Sequence, residues 1–404
     1  MKKEIFLFFF IFYFGFSFAQ EKDTLSFKNG IENPSLTPTH HFGMFSARIN
    51  SNFKTRPTQK PTLTFNLASG NTFHPFVEAH LPKNPLIREQ LSNVNWFDRR
   101  FTFIDQATTP ADYMNILIDA VIKEFRVDYT TKLTKNQELK ITLRSYLISD
   151  GKYPFSFFTA DESIEWFHSN VAGGEDPFGR RYYGLNQVNI KYTDRNGKVL
   201  TLKKNNFFIG GIELNHFYFT DFLSNKSKKF FVNIGSHLGF NTSKFNSSLD
   251  LGLSINLVKE LELTSGNEFR FAFGTSLLRK NVINFKDNID IGNTSFLANF
   301  EPQIEFTRYT KKKNYHSFSV HYQLQTSYFD NKEASYYRLL GKWQEIHAGW
   351  HNGISTLYNN LSAWTLLYTY GRPSYTLSLY LQEDLLVHNA PDVQTGIGLR
   401  IPLK

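Results

Sequence analysis

The sequence predicts an all-β chain folded as a closed antiparallel transmembrane β-barrel of about 12 strands, with 14 as the next choice. Three observations predict it: long runs in which apolar and polar residues alternate, aromatic residues spread along all 404 positions (Phe 42, Tyr 20), and an export-type leader at the N-terminus. A membrane strand shows lipid an apolar side chain at every second position, while the positions between face a polar lumen. Barrels gather aromatics into two interfacial girdles, which explains why they recur in every part of the chain.

The leader comes first. Lys2 and Lys3 precede an apolar run from Ile5 to Phe16, then Ser17, Phe18 and Ala19 lead to Gln20, the charge, apolar and small-residue order of a signal peptide. The run is shorter than the roughly 20 residues of a spanning helix, so residues 1–19 are expected to be cleaved and 20–404 to form one barrel domain. No later segment reaches that length and overall hydropathy is negative. With no cysteine, the fold uses neither disulfides nor thiolate-bound zinc. The net charge of +9 is carried by basic residues that alternate with apolar ones or sit in turns such as Lys311-Lys312-Lys313. That distribution suits phosphate-bearing lipid headgroups and not a nucleic-acid groove. The expected location is a Gram-negative outer membrane, the expected partners its lipid, lipopolysaccharide and the barrel-assembly machinery.

Along the chain the alternation can be read face by face. Phe230, Val232, Ile234, Leu238 and Phe240 oppose Asn233, Gly235, His237 and Gly239; Leu249, Leu251, Leu253, Ile255 and Leu257 oppose Asp250, Gly252, Ser254 and Asn256. The same pattern sets Phe269, Phe271 and Phe273 against Glu268 and Arg270, and Phe300, Ile304 and Phe306 against Glu301, Gln303 and Glu305. It sets Phe318, Val320, Tyr322 and Leu324 against His321 and Gln323, Leu377, Leu379 and Leu381 against Thr376 and Ser378, and Ile397, Leu399 and Ile401 against Gly398 and Arg400. Strands are expected at 42–53, 61–69, 114–133, 138–148, 184–192, 207–219, 229–241, 248–257, 267–277, 295–309, 314–329, 343–351, 362–370, 374–382 and 393–403. That tally is odd, whereas bacterial single-chain barrels have even counts, and the weakest alternation is at 42–53, 61–69 and 343–351. Tight turns are expected at Gly371-Arg372-Pro373 and at 310–313, although counting strands does not bring both to one end.

Two segments, 70–110 and 151–183, carry no clear strand and are candidates for a lumen plug or surface loops. Within the second, Thr159 with Glu162 reads as a capping box, with Ile164, Phe167 and Val171 as one apolar face of a short amphipathic helix that ends at Gly173-Gly174. Such a helix is expected over a rim or inside the lumen.

The lumen-lining candidates are Glu213, His237, Asp250, Glu268, Arg270, Glu301, Glu305, His321 and Arg400. No phosphate loop, dinucleotide motif, serine-hydrolase elbow or paired-histidine helix is present, and neither a metal nor a cofactor is expected. His40-His41 is expected to be solvated ahead of the first strand.

Ile164-Glu165-Trp166-Phe167-His168 followed by Gly179-Arg180-Arg181, and Glu383-Asp384 with Ala390-Pro391-Asp392-Val393, resemble signatures of an uncharacterised family of bacterial outer-membrane barrels, domain of unknown function 3187. Asn33-Pro34 and Phe42-Gly43 resemble its start. The resemblance implies membrane location and no activity, and draws attention to Phe167, His168, Arg180, Glu383, Asp384, Pro391 and Asp392. The leading expectation is a non-enzymatic channel or transporter-like pore for small solutes. Two others stand beside it: a lipid-modifying barrel enzyme using a rim histidine, His168 or His321, with Glu165 as a neighbouring carboxylate, and a surface assembly or adhesion scaffold.

Overall fold

The computed structural model describes residues 28–33, 40–92, 108–152, 156–172, 184–263, 267–310, 314–329, 337–339, 360–384 and 391–404. The expected leader, Arg180 and the expected strand at 343–351 lie outside them. Fifteen strands form one antiparallel sheet: β1 (Thr62–Pro82), β2 (Ala111–Thr134), β3 (Gln137–Ser149), β4 (Asn189–Thr193), β5 (Val199–Leu202), β6 (Phe207–Phe219), β7 (Phe230–Thr242), β8 (Ser247–Glu262), β9 (Asn267–Asn284), β10 (Phe296–Tyr309), β11 (Tyr315–Gln325), β12 (Tyr337–Leu339), β13 (Leu361–Arg372), β14 (Tyr375–Glu383) and β15 (Val393–Pro402). Twelve of them close a barrel in the order β1, β2, β3, β6 to β11, β13, β14, β15, with β15 pairing back to β1 from Gly70↔Gln394 to Thr62↔Pro402. Closure leaves the barrel wall no unpaired edge, which a strand surrounded by lipid could not tolerate. The β4–β5 hairpin extends the sheet beside the far half of β2, and β12 caps the far end of β1.

The expected count of 12 is therefore the barrel itself, and the odd tally arose from segments outside the wall. Residues 42–53 are not a strand but hold a 3₁₀ turn, Gly43–Phe45, and an extended chain inside the lumen. Residues 70–82, expected to be plug or loop, are the second half of β1. The turns at 310–313 and 373 do fall at one end, together with the connections at 135–136, 220–229 and 263–266 and the Thr62 and Pro402 ends of the wall. This turn end contrasts with the opposite, loop end, which carries the long connections at 83–110, 150–206 and 326–360. The expected strand at 343–351 put the two turns at opposite ends; β11 pairs directly with β13, which brings them to the same one.

The two faces sort as the alternation demands. Leu253, Ile255, Phe300, Ile304, Phe318, Leu366 and Leu381 stand exposed on the outer surface, while Asp250, Asn256, Glu301, Glu305 and His321 are buried inside. At the loop end the inward face becomes apolar: Ile116, Ile118 and Ile122 of β2 join Ile190, Tyr192, Leu200 and Leu202 of the hairpin, and Ile289, Ile291 and Phe329 of the loops, in one buried cluster. Burying each such side chain is worth about 1.5–3 kcal/mol.

Candidate functional site

The lumen is filled by the chain's own N-terminal part, residues 28–33 and 40–60. It enters at the turn end, where Lys28 forms a buried ion pair with Glu305 of β10. Glu32 takes both guanidinium nitrogens of Arg400, at 2.8 and 2.5 Å. It reaches the loop end at Phe42, whose ring packs against Tyr192 and Phe329 (centroids 5.1 and 5.4 Å), and there it joins the apolar cluster with Met44 and Phe45. It then returns beside itself, with Ile31 N donating to Phe53 O at 2.9 Å, and leaves through Lys54, which pairs with Glu138 of β3 at 2.8 Å. We call this segment the plug.

Its backbone is satisfied by the wall, which explains how an irregular chain can be buried. Ala47 N donates to Asp250 (2.8 Å) and Arg48 N to Glu213 (3.3 Å); Ser46 O accepts from Arg144 (2.7 Å), Phe45 O from Asn246 (2.7 Å) and Asn52 O from Asn233 (2.8 Å). Alternate plug residues meet wall glycines on three successive strands. A Cβ built on Gly239 would lie 2.3 Å from Ala47 Cβ, one on Gly252 2.3 Å from Ile49 Cδ1, and one on Gly274 2.1 Å from Ser51 Oγ. The extended chain can lie this close only because those wall positions lack side chains.

Behind the plug, the wall holds a charge network. Arg126 pairs with Glu213 at 2.8 Å and Asp128 at 3.3 Å, Arg144 with Glu213 at 2.9 Å, and Lys140 with Asp128 at 3.4 Å. Burial pushes the Glu32 carboxyl up, but Arg400 and Lys28 more than offset it and hold it below its usual range. Burial, with His40 and His74 nearby, holds the His41 imidazole well below its usual 6.5. Between plug and wall remains a cavity of about 100 Å³, lined by Glu32, Asn66, Asp128, Glu138, Lys140 and Arg400 among others. That space takes a few waters, at about 30 Å³ each.

All nine lumen candidates lie on the inner face. Glu213, Asp250, Glu305 and Arg400 touch the plug directly, and Glu301 sits 4.0 Å from Arg48 of the plug and 3.6 Å from His321. His237 bonds Asn215 and Ser254 across the wall, and Arg270 pairs with Glu260 at 2.9 Å and with Glu268. His321 is therefore inside the lumen in mid-strand, not at a lipid rim. Its burial follows from its odd-numbered place between the outward Val320 and Tyr322. His40 and His41, expected to be solvated, are 4% and 3% exposed, because the chain before β1 turns into the lumen instead of trailing outside.

The helix, α1 being the short Pro85–Ser92 in the β1–β2 loop, is α2, Asp161–Phe167, continued by a π turn at His168–Ala172. Its N-cap is Ala160 and makes no side-chain cap; Thr159 instead bonds Ser69 of β1 (2.8 Å), and Glu162 accepts from Asn186. Ile164 and Glu165 are buried, but Phe167 and Val171 point away from the protein, so the expected apolar face is split. The helix lies outside the barrel wall, not in the lumen. Glu383, Asp384 and Asp392 come together at the loop end of β14 and β15, with Asp392 N donating to Asn71 O at 3.0 Å.

No family model and no curated protein matches this chain. Among solved structures, it is similar to an outer membrane channel from Pseudomonas putida F1, over 88% of this chain and 100% of the other, with 8% identity and a TM-score of 0.38. It is similar to the NanC porin over 70% and 93%, with 8% identity and a TM-score of 0.34. The P. putida toluene transporter TodX aligns over 86% and 91%, with 6% identity and a TM-score of 0.29. None of these carries an activity over to the chain, whose own topology defines it as a closed 12-strand antiparallel barrel with an internal plug.

Proposed function

We propose that the chain is an outer-membrane channel for small solutes, closed by its own N-terminal segment and opened when that segment leaves the lumen. The reading includes the resemblance to the uncharacterised barrel family and places the turn end in the periplasm, since short periplasmic turns and long external loops are the rule for such barrels. The observation that carries it is the plug itself: a chain that meets the wall through ion pairs, hydrogen bonds and bare glycines can exchange those contacts for water, while Phe42, Met44 and Phe45 hold it closed at the apolar loop end. Charge adds a solute class. The plug brings Lys28, Arg48 and Lys54 to Glu305, Glu301 and Glu138, so its departure leaves those carboxylates facing the pore and favours cationic solutes.

The experiment is planar-bilayer recording of the full chain and of a variant lacking residues 28–60, in a salt gradient. The variant is expected to conduct with cation preference where the full chain rests closed. A deletion variant shown to be inserted and folded that passes no current would refute the proposal.

A further inference from the structure

A barrel wall is apolar where lipid touches it, yet the loop half of the β15–β1–β2 seam is polar. On β1, Ser69 and Asn71 share the outward face of Phe65, which is exposed, while Asn66 on the other face bonds Asp128 in the lumen. Their cross-strand partners follow: Ser69 pairs with Thr395 and Lys123, and Asn71 with Val121. Ser69, Asn71 and Lys123 are nevertheless 2%, 0% and 1% exposed.

They are covered from outside by a strap, residues 150–152 and 156–172, that lies over the wall and ends in α2 and its π turn. Lys123 Nζ donates to Lys152 O at 3.0 Å, and Asn71 Nδ2 to Thr159 O at 3.1 Å and to Asp161 Oδ1 at 2.8 Å. Thr395 Oγ1 donates to Phe157 O at 2.9 Å. Gly151 rests on Val121, where a Cβ would come within 2.9 Å of Cγ2. The strap thus hides the polar patch, and what it turns outward includes five large apolar side chains, Phe157, Phe158, Trp166, Phe167 and Val171, all at least half exposed, beside the exposed Lys152, Glu162, Ser169 and Asn170.

We infer that the strap is a lipid-binding element, seated in the headgroup region and upper acyl chains of the outer leaflet through these five side chains. The inference rests on the membrane-barrel reading above. Height supports it: Ser69 is seven residues above the turn end of β1 at Thr62, which at about 3.3 Å per residue and about 40° of tilt is roughly 18 Å, in the upper third of an apolar band about 25 Å tall. At that level tryptophan and phenylalanine belong to the interfacial girdle. The apolar belt is also continuous: the exposed Ile397 and the half-buried Leu67, its cross-strand partner, lie directly beneath Thr395 and Ser69, and the exposed Phe65 lies below Leu67. The strap therefore replaces a polar stretch of wall with a second lipid-facing layer.

The test uses full-length protein carrying Trp166 or Trp364 alone, the other tryptophans replaced by Phe, in phosphatidylcholine vesicles with brominated acyl chains. Trp364 stands on the outer face of β13 and is 45% exposed. Both are expected to lose emission to bromolipid to a comparable extent, with Trp166 quenched most by bromines near the headgroup and little by aqueous iodide. Trp364 quenched by bromolipid while Trp166 responds only to iodide would overturn the strap's role alone. Trp166 reached by neither quencher would also overturn it, in favour of contact with a second copy of the chain. If Trp364 itself escapes bromolipid, the membrane-barrel reading falls, and the inference with it.

Discussion

Gly239→Ala and Gly274→Ala test whether the plug is held by fit. The added Cβ at Gly239 would stand 2.3 Å from Ala47 Cβ, and its next contacts, Asp250 Cβ and Ala47 Cα, are at ordinary distances of 3.5 and 3.6 Å. At Gly274 the three nearest atoms all belong to the plug residues Ser51 and Phe53. In an empty barrel each change is neutral or favourable to the strand, so the cost falls on the plugged state. Overpacking by one methyl with about 1.5 Å of overlap costs about 1–3 kcal/mol, so one substitution raises the open-to-closed ratio about thirtyfold and both about a thousandfold. Bilayer recording reads this as open probability, and hydrogen exchange at residues 46–53 reads it independently. Ala47→Gly in the Gly239→Ala background removes the clashing atom and is expected to restore closure, a coupling a general loss of stability would not show. Unchanged open probability together with unchanged exchange in the double variant would refute the fitted plug.

Acid is expected to open the channel in two stages. Released His41 takes a proton near 6.5 while docked His41 resists it, so docking weakens as pH falls below about 6.5; released Glu32 binds protons before docked Glu32 does, so a second loss follows below the usual carboxylate range. A pH titration of open probability checks this, and His41→Asn should erase the upper stage while leaving the lower. Glu213→Ala strips Arg126 and Arg144 of a carboxylate that is 2% exposed and is expected to cost the barrel about 3–5 kcal/mol, read by urea unfolding in micelles. A loss well under 1 kcal/mol would mean the network rearranges.

The wall was legible because lipid imposes a period of two on every strand it touches: Leu249 to Leu257 and Phe318 to Leu324 could be assigned to faces from the sequence alone. The plug was not, since residues 28–33 and 40–60 have no single environment to impose a period. Their conformation is dictated by partners such as Glu305 and Arg400, which lie hundreds of positions away. A trace did exist in Gly239 and Gly252, inward glycines on adjacent strands that have no reason to be bare unless something approaches. The strap left a trace as well. Ser69, Asn71 and Lys123 break the outward alternation of β1 and β2, and on β1 that break, which makes 61–69 a weak strand and 70–82 none in the sequence, marks a covered wall.

Because the plug enters and leaves at the turn end and runs straight into β1 at Thr62, releasing it does not free it. The ejected segment becomes a tethered ligand held at an effective concentration on the order of millimolar beside its own binding site. Reclosure is then a first-order event, independent of protein concentration. A free peptide of the same sequence would have to compete against that local excess.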